Sequence, residues 1–122
     1  MTRKEFEHLV QQALKELPAD LRRHIANVAI VVEELPDDAT LDAAGVDDPY
    51  DLFGFYHGIP LTERTHDYGL VLPDKISIYR QPILHYCRTP TEIADCVRQT
   101  LRHEIAHYFG IDDERLEQLG AY

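Results

Sequence analysis

Residues 103–107 read His-Glu-Ile-Ala-His, an H-E-x-x-H pattern. On a helix this spacing brings two imidazoles to one face, His107 lying about 40° round from His103, where they can share a zinc ion. Glu104 falls at the margin of that face. A carboxylate so placed can hydrogen-bond a water on the metal without being a ligand, and so serve as a general base. The pattern continues as Tyr108-Phe109-Gly110-Ile111-Asp112-Asp113, extending it to H-E-x-x-H-x-x-G-x-x-D. With seven histidines in the chain the short motif arises by chance in about three of a hundred such sequences. The extended one arises in on the order of one in ten thousand. A glycine after the second histidine can take positive φ, end the helix and turn the chain back towards the ion. Asp113 then completes a two-His, one-carboxylate set with a fourth position open, the arrangement of catalytic zinc. Asp112, Glu114 and Glu117 are rival carboxylates.

These residues need a helix to carry them. One is predicted from about Glu92 to Phe109, capped by Thr89 or Thr91 and stopped at Gly110. Its apolar positions Ile93, Val97, Leu101, Ile105 and Tyr108 gather beside the histidine face, so one side can be buried while the other lines a cleft. An N-terminal amphipathic helix is predicted from Phe6, Leu9, Val10, Ala13, Leu14 and Leu17, with Thr2 and Glu5 as a capping box and Pro18 beyond its end. A short helical piece over residues 19–25 leads to the β-branched run 28–32, read as a central strand. Residues 35–50 are acidic and contain prolines, and read as loop. Residues 52–61 suggest a short bent strand. Residues 69–72 and 75–80 suggest a hairpin, with Pro82 favouring an edge position for its second strand. A last short helix is expected over residues 113–119.

The extended motif, together with Tyr79-Arg80-Gln81-Pro82-Ile83 and Gly54-Phe55-Tyr56-His57-Gly58-Ile59-Pro60-Leu61, resembles the minimal zincins, a family of small bacterial zinc metallopeptidases. The resemblance runs from about Ala29 to Leu119. It implies an α+β zincin-like fold with a compact sheet packed on the motif helix, and zinc bound by His103, His107 and Asp113 with Glu104 as the base. The layout is also similar to that of the metzincins, but the only methionine is Met1, so their methionine turn is absent.

At 122 residues the chain fits one domain. No apolar run approaches bilayer length, and acids interrupt the N-terminus where a signal peptide needs apolar residues, so a cytoplasmic protein without membrane contact is expected. Twenty-two acidic against twelve basic residues give a net charge of −10, which opposes a nucleic-acid partner. Cys87 and Cys96 are expected as reduced thiols packed as small hydrophobes.

The activity expected is zinc-assisted hydrolysis of a peptide or protein, with Zn2+ as the cofactor. A non-enzymatic zinc-stabilised binding module is the alternative, and a metal-dependent ribonuclease a further one, although the resembling endonucleases end their motif in a third histidine where this chain has Asp113. Tyr79, His85, Tyr86 and His66 are candidate oxyanion donors, for each of which a packing or surface role is the commoner one. The strand over residues 76–80, read as an edge, is expected to receive an extended peptide.

Overall fold

In the computed structural model, which describes residues 1–59 and 74–111, helices pack against a three-stranded sheet. Helix α1 (Arg3–Lys15) begins where Thr2 accepts from the Glu5 amide while the Glu5 side chain accepts from the Thr2 amide. This reciprocal cap satisfies two of the amide donors that a helix start leaves open. Phe6, Val10 and Ala13 are its buried face. Helix α2 (Ala19–His24) follows Pro18 and delivers the chain to strand β1 (Ala29–Glu33).

Helix α3 (Asp38–Ala44) and a 3-10 turn (Pro49–Asp51) occupy the stretch expected to be loop. The residues that suggest a loop are here helix punctuation. Asp37 accepts from the Thr40 amide at 2.8 Å, Gly45 ends α3 at φ 70°, and Asp48 accepts from the Tyr50 amide at 2.9 Å. Cap chemistry and loop chemistry use the same residue types, and only the few residues between them separate the two.

Strand β2 (Gly54–His57) and strand β3 (Lys75–Tyr79) complete the sheet in the order β1-β3-β2. β3 is therefore central, parallel to β1 with Ala29 opposite Lys75, and antiparallel to β2 with Gly54 opposite Ile78. This reverses two expectations, since among the described strands β1 lies at an edge and the strand over residues 76–80 does not. A β-branched run reports strand propensity, whereas a central place is set by pairing. Within β1 only Val32 is buried. Pro82 sits instead at the third position of helix α4 (Arg80–Tyr86), where its missing N–H is one that a helix leaves unpaired anyway. The hairpin over residues 69–72 and the helix over residues 113–119 lie outside the described residues.

Helix α5 (Pro90–Tyr108) starts at a second capping box, Thr89 with Glu92, and packs against α1, α4, β2 and β3. Its Ile93, Val97, Leu101, Ile105 and Tyr108 form one core with Ile76 and Ile78 of β3, Tyr56 of β2 and Phe6 and Val10 of α1. All five are the apolar positions read from the helical period. Among the described residues no helix is long and apolar enough to cross a membrane.

Candidate metal centre

The motif occupies the last turns of α5, which the core holds from one side. The imidazoles of His103 and His107 approach with ring centroids 4.5 Å apart, as a four-residue helical step dictates. Glu104, one residue on, is turned inward and is only 5 % exposed. A carboxylate that deep needs hydrogen-bond partners. Its Oε1 accepts from the Tyr56 amide of β2 at 2.9 Å and lies 3.2 Å from His107 Nδ1, while Oε2 is 3.9 Å from His103 Nε2. With Nδ1 of His107 donating to Glu104, the free lone pair of that ring falls on Nε2, the nitrogen left for a metal.

β2 can reach Glu104 because position 54 is glycine. A Cβ there would stand 2.6 Å from Thr100 Cγ2, 3.0 Å from the Ser77 carbonyl oxygen and 3.4 Å from Glu104 Cγ. The first two are closer than ordinary packing permits. Gly54 thus sets the spacing between the edge strand and α5, and with it the amide that holds the carboxylate. Sequence reasoning finds Glu104 but misses Gly54 and Tyr56. The stretch Gly54-Phe55-Tyr56 stands out in the sequence, but its glycine signals only a bend there.

Beyond the motif the helix ends as expected at glycine. Gly110 has φ 86°, its amide donates to His107 O, and the Ile111 amide donates to Ala106 O, each at 2.9 Å. These two bonds form a Schellman ending, which reverses the chain immediately after the second histidine. Asp113 and its rivals Asp112, Glu114 and Glu117 lie outside the described residues, as does His66. Of the other oxyanion candidates, Tyr79 is buried at the end of the central strand, and burial raises its pKa. His85 is exposed and tilts against Tyr50. Tyr86 donates to Asp51 at 2.7 Å.

A cleft of about 310 Å3 opens beside the motif, walled by Leu52, Phe53, Gly54, Cys96 and Thr100, with His103 and Glu104 in its lining and Asp51 and Gln99 completing it. A larger groove of about 970 Å3 runs between the start of α1 and β1 and contains none of the motif residues. The smaller cleft is the one adjoining the chemistry. One donor atom from each of His103, Glu104 and His107 lies within 4.8 Å of the others. Two neutral imidazoles on one helix face suit zinc and other borderline divalent metals, with the Glu104 carboxylate beside them.

His57, three residues beyond Gly54, makes no part of this site. Its Nε2 lies 3.1 Å from Ser77 Oγ, and burial, then the charge of Lys75, hold its pKa below the ordinary value of 6.5.

A sheet packed on the motif helix, with a His-Glu-His group at its end, defines a zincin-like α+β protein. The family model for zincin-like metallopeptidases matches residues 25–121, and the chain belongs to that family. Its fold is similar to that of a conserved hypothetical protein from Thermus thermophilus, with a TM-score of 0.55 and 24 % identity over 98 % of this chain and 97 % of that one. No curated protein matches the chain.

Proposed function

We propose that the protein is a zinc-dependent peptidase in which His103, His107 and Asp113 hold the metal and Glu104 is the general base. The observation that carries this reading is the setting of Glu104, a buried carboxylate in the lining of a cleft, beside two imidazoles and anchored by a strand amide. Oε1 is occupied by the Tyr56 amide and His107, so Oε2 is the oxygen available to take a proton from an attacking water and pass it to the leaving nitrogen. Bound zinc supplies Lewis-acid polarisation of the scissile carbonyl and makes that water more acidic. The helix ends in a Schellman turn at Gly110, three residues after His107, and Asp113 is the carboxylate that the extended motif offers beyond that turn.

The substrate is an extended peptide or protein segment. Because β3 is paired on both sides, the strand proposed to receive it is β2, an edge among the described strands, whose Gly54 lines the cleft, and recognition is mainly through the main chain. The test has two parts. Elemental analysis and zinc titration should give one equivalent per chain, and a peptide library incubated with zinc-loaded protein should be cleaved by the wild type and not by Glu104→Gln. Zinc binding with peptide capture but no cleavage would replace this reading with a binding module. Failure to take up any transition metal would end it.

A further inference from the structure

The cleft beside the motif extends well past it. Its lining follows α5 from Glu104 back to Cys96, about 12 Å along the helix axis. The rest of the lining comes from the chain just ahead of Gly54, with Asp51 closing the 3-10 turn and Leu52 and Phe53, both half-buried, after it. A volume of about 310 Å3 stands at the foot of the range for ligand pockets, about 300–1000 Å3, and suits one long side chain. Leu52, Phe53 and Cys96 give that side chain an apolar wall.

The charge in the lining has one sign. Asp51 and Glu104 are its two carboxylates, and no lysine or arginine of the described residues joins them. Glu104 is engaged by the Tyr56 amide and His107. Asp51 is exposed, and its Oδ1 accepts from the Tyr86 hydroxyl at 2.7 Å, which leaves Oδ2 for a ligand. The Tyr86 ring also tilts against Phe53, with centroids 5.8 Å apart. One tyrosine of α4 therefore holds both the acid and the aromatic part of the wall.

We propose that this cleft is a specificity pocket for a lysine or arginine flanking the scissile bond, its aliphatic stem lying on Leu52 and Phe53 and its cation on Asp51, with Tyr86 positioning Asp51. Long basic side chains pair an apolar stem with a charged head, the same order of surfaces that the lining presents. The net charge of −10 draws basic segments towards the molecule as a whole. The inference rests on the peptidase reading, because His103 and Glu104 in the same lining are what place the pocket beside the bond. To main-chain recognition along β2 it adds one side-chain preference.

The test uses the full-length Glu104→Gln chain loaded with zinc, and labelled peptides that carry lysine, arginine, norleucine or glutamate at one central position. Norleucine keeps the stem and lacks the charge. Fluorescence anisotropy should show the lysine and arginine peptides bound roughly tenfold more tightly than the norleucine one, as a charge-assisted hydrogen bond provides, with a smaller ratio at high salt. Asp51→Asn should bring the ratio close to one, and Asp51→Lys should turn the preference towards glutamate. Tyr86→Phe keeps the ring against Phe53, loses the hydroxyl and should lower the ratio part-way, a change that a general loss of stability would not produce. Equal binding of the lysine and norleucine peptides, binding of neither, or a preference that survives Asp51→Asn would overturn the proposal. Cleavage of a peptide library by the wild type with no basic preference would overturn it too, while leaving the peptidase reading in place. Selective capture of the basic peptides by wild-type protein that holds zinc and cleaves nothing would uphold the pocket and remove the peptidase reading.

Discussion

Glu104 is fixed by its strand as much as by its helix, and this separates two kinds of substitution. Glu104→Gln keeps the side chain's shape, and its amide oxygen can still accept from the Tyr56 N–H. It should therefore leave zinc affinity within a few-fold, by competition titration, while hydrolysis falls by roughly 10²–10⁴, the usual share of a general base. Gly54→Ala acts on the support. Its methyl group would crowd Thr100 Cγ2 at 2.6 Å, and overpacking of this kind costs about 1–3 kcal/mol, read as a lower urea midpoint with unchanged slope. Adding Thr100→Ser removes the crowding methyl and should recover part of that loss, as a double-mutant cycle would register. The H-E-x-x-H group is legible in the sequence because its geometry is local to one helix. The Tyr56 amide is not, because it meets Glu104 from 48 residues away, and a backbone donor has no residue type to betray it.

At the scale of elements, the helices bearing both a capping box and an apolar period are readable, and α1 and α5 form where those signals place them. α3 and α4 are only seven residues each, too short for a period to show, and α3 is hidden by the acidic residues that cap it. Strand order escapes the sequence because Pro82 counts against a strand when it belongs to the helix after it. The exit from α5 carries a further prediction. Gly110→Ala must place a Cβ at φ 86°, which costs about 1–2 kcal/mol, and with Asp113 as the proposed ligand beyond the turn it should also weaken zinc binding. Asp113→Ala should weaken zinc far more than Asp112→Ala in the same titration. The opposite ranking would transfer the role to Asp112.

For the whole molecule, His57 ties stability to pH. Its pKa in the folded protein is lowered by burial and Lys75, so between that lowered value and 6.5 the unfolded chain binds the additional proton. Stability contributed by the neutral ring is complete above 6.5 and is lost as pH falls towards the folded value. His57→Gln should flatten this part of a plot of urea midpoint against pH, leaving the lower carboxylate region in place. The order of the sheet bears on how the chain is made. Both ladders run through β3, the last strand to leave the ribosome among those described, so neither ladder can be completed until Tyr79 has emerged. Until then the apolar run of β1 has none of its partners among the described strands, the kind of segment through which nascent chains aggregate. Arg22 and Arg23 precede it and Glu33 and Glu34 close it, and these flanking charges guard the run during that interval.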